Sequence, residues 1–374
     1  MHFQHITKLK LGFNVCLIEK NIIGYGHTLE NLGIVYSKLD ANDVRKQKYL
    51  GAEDIDKCNE LLKESIMEIE KIVAEVNTQK AESNLKVNKQ DLLEFSDRFS
   101  GKIKINKAYD KLLGNNSIEN NDSKNIQYVT ENNVLKISNG LIEKDSVLVL
   151  NPYELAQELI YMLSKLKNVE IYENTEAEVI HSLKDKVEVI THNKFKIIAD
   201  KCILATSINA IKYFKDIDFE ICKNYTIVTD RLNNENTEKE LFVAVDNNIP
   251  NHTIRFYENH MLISGEELVL KERIVTEDIE NKSFDGKYKK LFNYLQSIYK
   301  DTNIPKIKSC FYSVNIKTKD GLPLIDEVYG MPNVYCNLAL GKNSIAYACI
   351  GAKMLQNICK DYYTKNMYLF RANR

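Results

Sequence analysis

What this chain of 374 residues lacks sets the first limits on it. It has no excess of charge of either sign: 51 Lys and Arg stand against 52 Asp and Glu, a formal charge of −1. The sustained basic surface that nucleic acid or an anionic membrane would select is therefore missing. The eight cysteines are scattered from Cys16 to Cys359 with no C-x-x-C, and no His-x-x-x-His pair accompanies them. That excludes a zinc-finger pattern and reads as reduced, mostly buried thiols in a cytoplasmic protein. No apolar run approaches the roughly 20 residues of a membrane span, and no signal-peptide pattern opens the sequence. The length would fill two to three average domains, so the chain is neither a small disulfide scaffold nor a disordered segment.

Also missing is any G-x-G-x-x-G turn ahead of the first strand-like run, Asn14 to Lys20. That run is apolar and β-branched and ends on Glu19, as a buried parallel strand does in a dinucleotide-binding βαβ unit. The acid ending the second strand of such a unit accepts hydrogen bonds from the adenosine ribose, although a solvated glutamate ending an ordinary parallel strand reads the same way. On this reading Met1 falls inside the first helix of the unit. Apolar residues from Ile55 to Val76 recur every three or four positions, which predicts a long amphipathic helix. A polar tract, Asn115 to Asn125, predicts a surface loop. Asn151-Pro152-Tyr153-Glu154 forms a capping box with proline at the first helical position and predicts a helix through Leu166.

Short strands are expected at Val169 to Tyr172 and Cys202 to Thr206, with hairpins at Lys186 to Ile198 and Thr253 to Ser264. A helix from Lys287 to Tyr299, a strand around Ser309 to Val314 and a closing helix from Ile345 to Cys359 complete the pattern. The order describes an α/β nucleotide domain interrupted by a mostly antiparallel insertion. No internal repeat is present.

The segment Thr318-Lys319-Asp320-Gly321-Leu322-Pro323-Leu324-Ile325 is followed by Pro332-Asn333-Val334-Tyr335 and then by Ala339-Leu340-Gly341-Lys342-Asn343-Ser344-Ile345. In order and spacing this resembles the FAD-dependent D-amino-acid oxidase and glycine oxidase superfamily (DAO). Its marks are T-x-D-G-x-P-x-I-G, P-N-x-Y, a glycine-rich turn and a last helix. The resemblance extends through Glu19-Lys20, Gly24 to Gly33, Asn151-Pro152, Val169 to Thr175, Asp200 to Thr206 and the hairpin of Arg255.

The resemblance implies an α/β fold, α+β overall, with a glutathione-reductase-like FAD-binding domain and an inserted, mostly antiparallel β-sheet substrate domain. The FAD-binding domain would span 1–76, 147–215 and 310–374, lacking its N-terminal βα unit, and the substrate domain 77–146 and 216–309. It implies oxidation of an amine or amino acid C–N bond to an imine by hydride transfer to the flavin, with no partner beyond a small-molecule substrate. No Ser-His-Asp set or metal cluster would be needed, because the cofactor carries the hard step.

Carried over, Glu19 and Lys20 would lie at the ribose, and Gly24, Gly26, Thr28, Asn31 and Gly33 would line the loop at the pyrophosphate and flavin. Ala177 would face the adenine through its backbone and Thr206 would close the returning strand. Gly341, Lys342, Asn343, Ser344 and Ile345 would approach the isoalloxazine at the start of the last helix. Arg255 would hold a substrate carboxylate through its guanidinium fork; the alternative is an exposed arginine paired with Glu258 or Glu267. FAD would be held non-covalently, with a covalent link through Cys310 in Cys310-Phe311-Tyr312 as the other option. The sequence departs from the family turn G-Y-G-G-N-G-I at Ala339, Lys342 and Ser344, and from A-T-G at Ser207. With the missing glycine turn, these departures leave a second reading open: a degenerate, non-catalytic relative, or a truncated gene product, that no longer binds FAD.

Overall fold

The computed structural model describes residues 12–39, 48–79, 85–96, 102–103, 105–106, 125–232, 242–270 and 285–374. The expected polar tract lies outside these residues except for Asn125, and so do residues 1–11. In chain order the elements run β1 (Val15–Ile18), β2 (Ile34–Tyr36), α1 (Ala52–Gln79), β3 (Val87–Phe95), β4 (Ile126–Val129), β5 (Gly140–Leu150), α2 (Pro152–Ser164), β6 (Val169–Tyr172), β7 (Ala177–Ser182), β8 (Val187–Thr191), β9 (Lys196–Ala199) and β10 (Cys202–Leu204). They continue with β11 (Glu220–Thr229), β12 (Phe242–Asp246), β13 (His252–Tyr257), β14 (His260–Leu270), α3 (Asp285–Ile298), β15 (Ile307–Lys317), β16 (Leu324–Glu327), β17 (Val334–Leu338) and α4 (Ser344–Cys359). The chain divides into two compact units: Met1–Val87, Leu150–Ile221 and Asn315–Arg374 form one, and Asn88–Val149 with Cys222–Val314 the other.

In the first unit β1 lies parallel to β6, Val15 opposite Val169 and Ile18 opposite Tyr172. A separate sheet carries β10 parallel to β17, with β16 antiparallel on its other edge. Helix α2 starts where the sequence predicts it, because Asn151 Oδ1 accepts the N–H groups of Tyr153 and Glu154, with proline at the first helical position. Glu154 returns the contact by accepting from Asn151 Nδ2 at 2.8 Å. Along α1 the buried positions Cys58, Leu62, Ile66, Ile69, Val73 and Val76 form the expected stripe, which packs on α4. A meander β7–β8–β9 adds a strand that the predicted hairpin did not include. Half-exposed and broken by a register shift between Ala177 and Val179, β7 has no clean apolar alternation to reveal it.

The second unit is built on a sheet ordered β15-β11-β14-β13-β12-β3-β5, with β4 on β5. One face is its core. There Leu93, Tyr225, Ile254, Phe256, Met261 and Ile263 cluster with Leu291, Leu295 and Ile298 of α3. The hairpin β13–β14 pairs Tyr257 with His260, so the turn is Glu258-Asn259, both at positive φ (46° and 62°) as a two-residue hairpin turn demands. Among the described residues no helix is long and apolar enough to cross a membrane, and no group of three or more His, Cys, Asp or Glu could hold a metal ion.

Candidate functional site

The loop between β1 and β2 leaves the carboxyl end of β1, the end of a parallel sheet at which ligands gather. The Glu19 N–H continues the ladder to the Tyr172 carbonyl at 2.9 Å, and the Glu19 carbonyl accepts from Thr175 N–H at 2.8 Å. The Glu19 carboxylate accepts the Asn21 N–H at 2.9 Å, which fixes its direction. Lys20 is exposed and pairs with Glu176 at 3.0 Å, one residue before Ala177. Glu19, Lys20 and Ala177 are thus brought together at one end of the β1–β6 pair.

The loop is next fastened at Ile23. Its N–H donates to Glu173 Oε1 at 2.7 Å and its carbonyl accepts from Gln157 Nε2 at 2.6 Å. Gly24 follows at φ +89°, where a Cβ would lie 2.9 Å from Tyr153 Cδ2, so both conformation and space demand glycine. At the far end, Asn31 Oδ1 accepts the Gly33 N–H and Asn31 Nδ2 donates to Ser344 Oγ, both at 2.7 Å. Asn343 brackets Tyr36 by accepting its N–H at 3.0 Å and donating to its carbonyl at 2.9 Å. Residues more than 300 positions apart in the chain are thereby tied together at the N-terminus of α4.

That N-terminus has neither a side-chain cap nor an acidic residue in its first turn, since the Asn343 amide is spent on Tyr36. Its first-turn N–H groups and helix dipole form a receptor for electron-rich atoms. Just before it Gly341 stands at φ +59° with no atom within 4 Å of where a Cβ would be, and Gly26, at φ +114°, is equally open. The exposed Lys342 lies between Gly341 and the helix, and Ile345 is buried. These features fit FAD: open backbone at two glycines, a helix N-terminus kept bare and a loop held at both ends. Two positions where the family has glycine keep left-handed backbone despite their side chains, Ala339 at φ +56° and Ser207 at φ +48°. Thr206, exposed beside Ser207, accepts the Asn209 N–H at 3.1 Å, and no hydrogen bond among the described residues joins it to the β1–β2 loop.

In the second unit, Arg255 sits on β13 opposite Val243 and Leu262. Its neighbours Ile254 and Phe256 belong to the core face, so strand alternation puts Arg255 on the other face. It is only 5% exposed, with its guanidinium 5.3 Å from the Tyr257 ring centre, so it is not the exposed cross-strand arginine of the alternative reading. Burial pulls its pKa down to about 10. Cys310 lies two residues before Tyr312, which packs against the core face. Cys310 itself is exposed on β15. The Cys310 thiol is raised by partial burial, which disfavours the thiolate.

Gln157 and Glu173 were not legible as functional residues. One lies inside an amphipathic helix and the other in a turn, and their partner Ile23 is 134 and 150 residues away.

Comparison with known proteins bears on the whole chain. The family model for FAD dependent oxidoreductases, DAO, matches residues 5–358. The glycine oxidase of Geobacillus kaustophilus has a similar fold at a TM-score of 0.75 and 14% identity, over 96% of this chain and 92% of that one. So has the glycine oxidase of Bacillus cereus, at a TM-score of 0.72 and 13% identity over 98% and 93% of the two chains. The L-amino acid deaminase of Proteus vulgaris follows at 0.71 and 12% over 99% and 94%. No curated protein matches the sequence. The family match over residues 5–358, nearly the whole chain, makes this chain a member of the DAO family of FAD-dependent oxidoreductases.

Proposed function

We propose that this protein uses non-covalently bound FAD to oxidise the C–N bond of an amine or amino acid to an imine. The observation that carries the reading is the convergence of the β1–β2 loop on the bare N-terminus of α4 through Asn31–Ser344 and Tyr36–Asn343. Bound FAD would supply the electron sink that takes a hydride from the carbon beside the amine nitrogen. The chain's own residues would do the rest. Glu19 would receive the ribose hydroxyls and Ala177 would meet the adenine through its backbone. The loop from Gly24 to Gly33 would hold the pyrophosphate, and Gly341 to Ile345 would receive the electron-rich edge of the isoalloxazine.

Arg255 would orient an amino-acid substrate by its carboxylate. A guanidinium withdrawn from water binds an anion far more strongly than an exposed one. The imine product would hydrolyse in water without help from the protein.

The test is anaerobic mixing of the FAD-loaded full chain with a panel of amino acids and amines lacking a carboxylate. Bleaching of the flavin by amino acids, with ammonia released, supports the reading. A chain that holds FAD but is bleached by none of them contradicts the oxidase reading. A chain that stays colourless after loading points to the degenerate relative, for which the strained Ala339 and Ser207 are the structural signs.

A further inference from the structure

The fastening of Ile23 belongs to no glycine motif. Its N–H and carbonyl are both taken by side chains, Glu173 Oε1 at 2.7 Å from the turn after β6 and Gln157 Nε2 at 2.6 Å from α2. Ile23 is 3% exposed, so water is a poor substitute for either partner. The same two segments hold the chain on either side. Asn174 N–H donates to the Asn21 carbonyl at 2.9 Å, and the Tyr153 ring meets Tyr25 edge-on at 5.9 Å. Gly24, directly after Ile23, is pressed against Tyr153 and Gln157 at φ +89°. The result is a fixed root below an exposed apex at Tyr25 to His27. A ligand loop fixed this way does not have to be ordered again when it binds.

We infer that Gln157 and Glu173 are positioning residues for the dinucleotide: by clamping the Ile23 peptide groups from both sides they set the path of Gly24 to Gly33 before FAD arrives. The inference rests on the flavin reading above. Neither side chain is placed against the cofactor, so each acts through the loop.

The chemistry of the two contacts is asymmetric, and that supplies the test. Glu173 acts as an acceptor, which glutamine can replace; Gln157 acts as a donor, which glutamate cannot. FAD affinity is measured on the full chain by flavin fluorescence for the native protein, Glu173→Ala, Glu173→Gln and Gln157→Glu. Hydrogen exchange of the Ile22 to Gly26 amides is followed without FAD. The expected result is FAD binding at least tenfold weaker in Glu173→Ala and Gln157→Glu, with faster amide exchange in the loop, and both effects largely restored in Glu173→Gln. If the native chain binds FAD and all three variants bind it within twofold, the inference is overturned while the flavin reading stands. Equal weakening in Glu173→Ala and Glu173→Gln also overturns it, because an acceptor role predicts rescue. A native chain that binds no FAD overturns the flavin reading and this inference with it.

Discussion

The side-chain amide of Asn343 brackets the main chain of Tyr36, accepting its N–H at 3.0 Å and donating to its carbonyl at 2.9 Å. Tyr36 ends β2 and Asn343 precedes α4, so one side chain does what a β-bridge would do between segments with no strand in common. The geometry needs both a donor and an acceptor, and only an amide of this length has them. Asn343→Asp keeps the acceptor and turns a carboxylate oxygen toward the Tyr36 carbonyl. We expect it to lower stability by about 2 kcal/mol and to weaken FAD binding, as read by chemical denaturation and flavin titration. An unchanged denaturation midpoint would contradict the bracket.

A second relationship gives a pH dependence. Asp320 of the Thr-x-Asp-Gly motif accepts from Thr318 Oγ1 at 2.8 Å, Leu322 N–H at 3.0 Å and Arg374 Nη2 at 2.9 Å. Burial alone would raise its pKa, but the hydrogen bonds and charge of Arg374, with Leu322 and Thr318, outweigh it and hold the carboxyl below its ordinary value. A carboxylate depressed in the folded state contributes stability above its unfolded pKa of about 3.9 and loses it as pH falls through the folded value. The native chain should therefore lose thermal stability on acidification below that range more steeply than Asp320→Asn, with Asp320→Asn the less stable at neutral pH. Arg374→Ala should cost about 3 kcal/mol at neutral pH, because it leaves a buried carboxylate without its cation.

Left-handed backbone at Ala339, φ +56°, costs about 1 kcal/mol that glycine would not incur. Ala339→Gly should raise the thermal midpoint and leave the fold unchanged. The opposite change at Gly351 should be severe, because a Cβ there would overlap the side-chain amide of Asn337 on β17. Gly351→Ala should cost about 2 kcal/mol, which a thermal melt would read.

Arg255 offers a test of substrate class. If its buried guanidinium binds a carboxylate, Arg255→Ala should raise KM for amino acids by about a hundredfold, as loss of a charge-assisted bidentate contact worth about 3 kcal/mol does. Arg255→Lys should recover only part of this, because an ammonium lacks the fork. Steady-state kinetics with an amino acid and with its decarboxylated amine separates the roles. An equal loss for both substrates would deny Arg255 the carboxylate.

The legible parts of this molecule were those that local chemistry decides. Asn151-Pro152-Tyr153-Glu154 states a helix start in four residues, and the α1 stripe from Cys58 to Val76 states its buried face over about five turns. The hairpin through Arg255 was also legible, although its turn uses Glu258 and Asn259 where glycine would be easier. Long-range contacts hid the rest. The resemblance set Asn31 and Ser344 at one cofactor, but nothing in the sequence announces their direct hydrogen bond, and nothing near Ile23 announces Gln157 or Glu173. The departures from glycine at Ala339 and Ser207 suggest an altered turn, yet the backbone keeps the left-handed conformation and carries the strain. Strand β2 has only three residues, too short for any periodic signal.

The β1–β2 loop and the N-terminus of α4 are proposed to form a flavin site. Its most direct test is the visible absorbance spectrum of the full chain after incubation with FAD and removal of the excess, repeated after denaturation. Flavin bands should stay with the folded protein near one equivalent and pass into the filtrate on unfolding. A colourless protein would contradict the flavin site, and colour that the unfolded chain retains would contradict non-covalent binding.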